Sequence, residues 1–448
     1  ARPTNILDIR GGSGVDHVLL KTADFGAASL IVEAEAIDVP QGEVLQSDAD
    51  LQLLAYATGT TDNLDLMASV NVDGSLIAAG QVVLDAAVQA EIEKDSTDIL
   101  ALDKLSIDTE ARALLGSYAS VQAKSLSISA TTTNSLNIYA EAGSGSVDIT
   151  SNQVTSAGIA GGAKLFITPA KGETGVSVLV EAVDRTQISS ELNTADSLAT
   201  KLTGGFDLGI GSVNLSRNTA AFIGDNSDQR VSLAGLGDAA SGLVQVSAAN
   251  LDGDNGGIES AIISNLIGVQ TNTINDDVSA TVHAADFDVA GLQVYALNAG
   301  SYSASAKVAK NLATGNTIAL IEDADILAAA DVLLVALDQA SFDATSAGFS
   351  ADVPLIDNIK IGIASASNTI DRNVSAKLQN AVVESGGLYV IASSKQTISA
   401  TTESMAVIGG AKDNTASLAL GGTFAWNQLL GVIEADVSDS EINTGEQG

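Results

Sequence analysis

Only two histidines, His17 and His283, occur among the 448 residues, and cysteine is absent. Neither histidine has a Ser-His-Asp context or a second metal ligand close to it in sequence. Both therefore read as surface or strand-edge side chains rather than general bases. Without cysteine there is no disulfide, no thiolate metal site and no thiol nucleophile. No Gly-x-Ser-x-Gly elbow, P-loop or dinucleotide fingerprint is present. Carboxylates total 55, so a pair of the kind that cleaves glycosides could be drawn from almost anywhere and points nowhere in particular. The residues with the most defined spacing are turn formers. They are Gly11-Gly12-Ser13-Gly14-Val15-Asp16 and the acidic corners Asp252-Gly253-Asp254-Asn255 and Asp276-Asp277. A tight glycine corner and a solvated acidic turn are their plain readings.

What positions those turns is a degenerate tandem repeat. Each unit carries an alanine, an apolar residue two positions on and a small or polar residue two further. A Leu-x-Val-x-Ala segment follows. The clearest anchors are Ala221, Ala280, Ala319, Ala376 and Ala435, with +4 positions Asp225, Ala284, Asp323, Asn380 and Asp439. Asn272 to Ala280 aligns with Asn368 to Ala376 without a gap. Weaker anchors fall at Ala68, Ala113 and Ala163. The eight anchors imply units of about 52 residues, long enough for several strands each. Period-two alternation predicts strands at Leu136 to Ala140, Val176 to Ala182 and Leu243 to Ala248. Gln81 to Lys94 has Leu84, Val88 and Ile92 at helical spacing, but its Val-rich start favours a strand.

Hydrophobic residues make up 46 % of the chain and aromatics only 3 %, so the interior must be filled by Ala, Val, Leu and Ile. Four prolines leave long strand pairings uninterrupted. The formal charge of −35 argues against nucleic acid and anionic membranes as partners, and favours solubility and cation attraction. No apolar run is long enough for a transmembrane helix. The chain opens Ala1-Arg2-Pro3 and reads as a processed product or an excised piece of something longer.

These features predict an all-β fold: a right-handed parallel β-helix, or β-solenoid, built from degenerate tandem repeats. Tandem β-sandwiches are the alternative, disfavoured by the scarcity of aromatics to centre separate cores. Coils of about 20–25 residues would give a rod on the order of 100 Å long. Residues 1–60 read as N-terminal coils with the glycine-rich turn, 61–210 as degenerate repeats, and 211–448 as clearer repeats cut off in the last unit. No polar cap is visible at the C-terminal end, so that end is expected to be covered by more chain or another molecule.

Gly11-Gly12-Ser13-Gly14-Val15-Asp16-His17-Val18-Leu19 resembles the glycine-rich nonapeptide of RTX proteins. The resemblance implies Ca²⁺ ligation by Gly12, Gly14 and Asp16, with Asp252 and Asp254 as a weaker acidic corner. The Asn-Thr-Ile-x-x-Asp/Asn-Val-x-Ala segments with their Leu-x-Val-x-Ala strands resemble repeats of giant bacterial surface proteins, the leukotoxin-like filamentous adhesins. That resemblance implies an extracellular, cell-surface location and a structural, non-enzymatic role as a filament or adhesin segment. The partners implied are copies of the chain or adjoining repeats. Two alternatives are a module binding glycans or surfaces and a β-helix polysaccharide lyase or hydrolase. Neither nucleic acid binding nor membrane insertion is expected.

Overall fold

The computed structural model describes residues 5–445, apart from 13, 62, 97–99, 142–143, 170–174, 195–207, 226–228, 235–241, 255, 265–266, 350, 353–358 and 406–417. Strands stack into three sheets, here called A, B and C, of 14, 12 and 10 strands. Each turn of the chain visits A, then B, then C, so the 10-stranded sheet C counts ten coils. Neighbouring strands run parallel throughout, as between Gln81–Ser96 and Ser125–Glu141. The described exceptions are the short antiparallel pairing of Ala351–Asp352 with Ile359–Gln379 and one isolated bridge. The protein is a parallel β-helix, and tandem antiparallel sandwiches are excluded. The sheets continue through the expected boundaries near residues 60 and 210; one sheet B strand, Leu208–Ile223, spans the second.

One sequence repeat is one coil. Ala221, Ala280, Ala319, Ala376 and Ala435 lie side by side in successive strands of sheet B. The column continues through Ala157 and Ala113 to Val70. Of the weak anchors, Ala113 is therefore in place. Ala68 is two residues out, still on the inward face, and Ala163 sits in the corner before the sheet C strand Lys164–Ile167. The final alanine of Leu-x-Val-x-Ala builds a matching column in sheet A: Ala86, Ala130, Ala182, Ala248, Ala296 and Ala336. Small side chains on both inner faces bring the two sheets close, which is why so few aromatics suffice. Gln81–Ser96 is a strand. All three strands predicted from alternation lie within longer strands, Ser125–Glu141, Val176–Asn193 and Leu243–Asp252.

The +4 positions explain themselves at the corner between sheets B and C. Ala284, Asp323, Asn380 and Asp439 have φ of 46°, 54°, 47° and 50°, the left-handed region where Asn and Asp cost least. Asn380 Nδ2 also donates to Asp323 Oδ1 on the preceding coil.

Coil length departs from expectation. Between the second and third coils paired residues are 21 apart in sheet A and 33 apart in sheet B, and later steps are 44 and 64. The last steps are 59, 39, 57 and 59. Only the first coils have the expected 20–25 residues. The remainder extend sheets A and B outward as a flat two-layered lobe beside the triangular A–B–C column. Ten coils about 4.8 Å apart span roughly 45 Å, not 100 Å. The extra residues widen the cross-section instead of lengthening the rod.

Two apolar regions result. One fills the triangular column, with Val32, Leu53, Leu84, Ile128, Val180, Val246, Val294 and Leu334 stacked on sheet A. The other fills the lobe, with Ile92, Ile107, Leu136, Ile188, Ile274 and Phe342. Both are mainly aliphatic, and a polar seam runs between them.

Candidate functional site

In the seam, sheet A contributes Asp184, Asn250, Asn298 and Asp338, one per coil and directly paired from each to the next. Sheet B contributes Arg217, Asp276, Gly315 and Arg372 in register. Alternation places these side chains inward, Asp184 two residues past Ala182 and Asp276 between Ile274 and Val278. All the charged ones are buried. Arg217 donates from Nε to Asp276 Oδ1 at 2.8 Å and from Nη2 to Oδ2 at 3.0 Å, a two-pronged contact. Its Nη2 also donates to Tyr302 Oη at 2.5 Å, and Nη1 lies 3.7 Å from Asp184. Arg372 reaches past the bare Gly315 to within 3.5 Å of Asp276, and its Nε is 3.3 Å from Asp338. Gly315 has φ +135°, and a Cβ there would meet the Asp276 carbonyl oxygen at 2.0 Å.

The charges are unequally matched. Burial alone would raise the Asp276 carboxyl, but Arg217, Arg372 and the Tyr302 hydroxyl together hold it below the ordinary carboxylate value. Asp184 has weaker company. Burial, helped by the negative Asp276, pushes it up to about 6 against the opposing pull of Arg217 and Thr186. Gln153 supports it when its amide nitrogen faces the carboxylate, donating to Oδ1 at 2.8 Å while its oxygen accepts from Asn134 Nδ2 at 2.9 Å. Farther out, an amide ladder crosses four coils. Asn272 donates to Asn311 at 2.9 Å, Asn311 to Asn368 at 2.8 Å, and Asn368 to Asn427 at 2.8 Å. Each donor nitrogen also bonds a sheet A carbonyl, those of Ser303, Asp343 and Ser399.

Sequence reasoning did not find the seam. Its signal was available as charged residues at inward parity, such as Asp184 after Val178, Val180 and Ala182. Their charged partners sit on other strands far along the chain, 59 residues away in the case of Arg217 and Asp276.

The expected cation ligands fall on two separated corners. Gly12 and Gly14 have φ of +105° and +130°, so the turn itself requires glycine. Asp16 donates its backbone amide to Glu35 Oε2 at 2.8 Å, and its own Oδ2 is buried without a hydrogen-bond partner. That oxygen fits a hard cation. Asp252 does not offer the same, because Oδ1 accepts the Ser301 amide at 2.7 Å and Oδ2 accepts the Ser301 hydroxyl at 2.5 Å. Asp254 is exposed on the turn beyond it. The first corner belongs to the first coil and the second to the seventh. Among the described residues no group of three or more His, Asp or Glu is placed to share a metal ion. His17 Nε2 lies 2.5 Å from Asp38 Oδ2 in an exposed pair, and His283 lies 3.4 Å from Asp323.

The last described coil is open. Leu429, Ile433, Val437 and Ile442 are 58, 57, 45 and 41 % exposed, although their neighbours Ile370, Val374, Leu378 and Val383 one coil earlier are wholly buried. On the outer face of the same coil Phe424 and Trp426 pack edge-on at 6.5 Å, both half-exposed. Comparison with protein-family models, curated proteins and solved structures finds no match to this chain.

Proposed function

We propose that this chain is a structural, non-enzymatic segment of an extracellular filament or adhesin of a bacterial surface, joining its neighbours through stacked coils. The observation that carries the reading is the parallel pairing of three sheets over ten coils, with exposed aliphatic side chains on the inner face of the last described coil. Backbone hydrogen bonds along the axis make such a column stiff, and an open parallel edge is a template for further strands. The acidic surface keeps it hydrated.

The coil lengths constrain the contact. Early coils step by 21 residues and the last by 59, so a head-to-tail stack matches only the triangular column and leaves the lobe uncovered. A terminal coil is matched in outline by a further coil of similar length or by the terminal coil of a second copy. Sedimentation velocity and electron microscopy of the purified chain test this. Concentration-dependent assemblies longer than a single molecule are expected; a strict monomer at high concentration would refute self-association. Calcium, if it binds, has its best oxygen at Asp16, and a titration with the Asp16→Asn variant as control reads that directly.

The glycan-binding alternative keeps one supporting observation, the exposed Phe424–Trp426 pair. Loss of polysaccharide retention in a Trp426→Ala variant, with assembly unchanged, would favour it.

A further inference from the structure

The change in coil length leaves an unpaired ledge near the N-terminal end. The second coil turns from sheet A to sheet B almost at once, between Ala34 and Ala36. The third coil runs on through Leu51–Gly59 and returns along Leu64–Val72. Pairing between the two coils stops at Ala34 with Ala55 in sheet A, and starts again only at Ala36 with Ser69 in sheet B. Two hydrogen bonds fix which backbone groups of the third coil turn toward the second. Leu30 donates to the Asp50 carbonyl at 3.0 Å, and Ser69 donates to the Glu35 carbonyl at 2.9 Å. By strand parity, the residues that turn that way beyond the paired stretch are Tyr56, Thr58, Asp65 and Met67. The amides of Thr58, Asp65 and Met67 and the carbonyls of Tyr56, Thr58 and Asp65 have no strand partner among the described residues.

Those four residues line one side of a cleft of about 890 Å³. The glycine-rich turn of the first coil forms the opposite wall, held by the Gly11 amide on the Glu33 carbonyl at 2.8 Å. Carboxylates of Glu33, Glu35 and Asp65 line it. The single cation there, Arg10, is already engaged by Asp8 at 3.1 Å and Glu33 at 3.7 Å. The cleft is therefore a strand-shaped gap with free donors and acceptors along its edge and excess negative charge in its walls.

We infer that this ledge binds an extended peptide segment of a partner protein carrying lysine or arginine, which adds to the third coil in place of the strand ends that the second coil lacks. Main-chain hydrogen bonds to the ledge supply affinity, and the carboxylates select the charge. An acidic segment, the commoner kind on a chain at −35, is repelled from such a cleft.

The test is hydrogen exchange of the intact protein with a synthetic peptide alternating lysine and valine, and with its glutamate-for-lysine counterpart. In the free protein the Thr58, Asp65 and Met67 amides exchange fast, while those of Ala57 and Leu66, turned toward the fourth coil, are slow. The lysine peptide slows the first three and the glutamate peptide does not. Combining Glu33→Gln with Asp65→Asn weakens binding of the lysine peptide about tenfold. The inference is overturned by slow exchange of the three amides without peptide, by no added protection at saturating lysine peptide, by equal protection from both peptides, or by an affinity indifferent to the two substitutions.

Discussion

Replacing Asp184 by asparagine should stabilise the protein at neutral pH and leave it nearly unchanged in acid. The carboxyl is fully buried, and burial pushes it up to about 6 from the ordinary 3.8. Between those two values the folded chain holds a proton that the unfolded chain has released. Stability then falls as pH rises from about 4 to 6, and the loss is complete above that. A displacement of about two pH units corresponds to roughly 3 kcal/mol, with no discount for solvent because the group is enclosed. Asparagine nearly preserves the shape, keeps an oxygen for the Thr186 hydroxyl, and does not titrate; Arg217 retains its two bonds to Asp276. The stability difference between variant and parent should therefore grow by about 3 kcal/mol in the variant's favour from pH 4 to pH 8. Titrating groups remote from Asp184 cancel in that difference. Stacked coils can unfold in stages, so the assay is urea-dependent hydrogen exchange of amides in Val176–Asn193, read at several pH values. A difference that stays flat across pH, or runs the other way, would refute the account of Asp184 as a forced charge.

Arg217→Met alone takes the two-pronged partner from Asp276, leaving it Arg372 and the Tyr302 hydroxyl, and should cost about 3–5 kcal/mol, whereas Arg217→Met with Asp276→Leu should recover part of it; thermal unfolding of the two variants compares them. Asn311→Ala removes one rung of the amide ladder and leaves Asn272 and Asn368 each short of a partner, an expected loss of about 1–3 kcal/mol in urea unfolding. Asn380 has φ of 47°, so Asn380→Gly should be close to neutral while Asn380→Val costs about 1–2 kcal/mol by the same measurement. Gly315→Ala forces a Cβ against the Asp276 carbonyl and should loosen the coils around Arg372, seen as faster proteolysis there than in the parent.

The fold was legible because its rule is local. Every Leu-x-Val-x-Ala segment carries its own alternation, and the alanine two residues past the valine always faces the opposite sheet. The +4 positions were legible too, since Asn and Asp at Asn380, Asp323 and Asp439 answer to a local backbone angle. Coil length was not, because a strand that continues outward into a lobe has the same alternation as one that turns a corner. Ser125–Glu141 alternates without interruption through both apolar regions. The seam was hidden for a related reason. An aspartate in an alternating strand reads as solvated until the coil that covers it is known, and the arginine covering Asp276 from one side lies 59 residues before it. Asn272 to Ala280 aligned with Asn368 to Ala376 without a gap, yet in space the coil carrying Asn311 and Gly315 lies between them. The corner from Gly11 to Asp16 was readable as a glycine turn, but the ledge it faces depends on coil lengths that no motif announces.

The alanine columns stay in register while adjacent steps change from 39 to 57 residues, and nearly all that difference is absorbed on the lobe side. Coil size is thereby uncoupled from coil stacking. Foreign sequence grafted at the far rim of the lobe would leave the spine undisturbed, and grafts on consecutive coils would stand in a file at about the inter-strand distance of 4.8 Å. The molecule is in effect a ruler with a free margin, along which side-by-side display could be engineered without redesigning its axis.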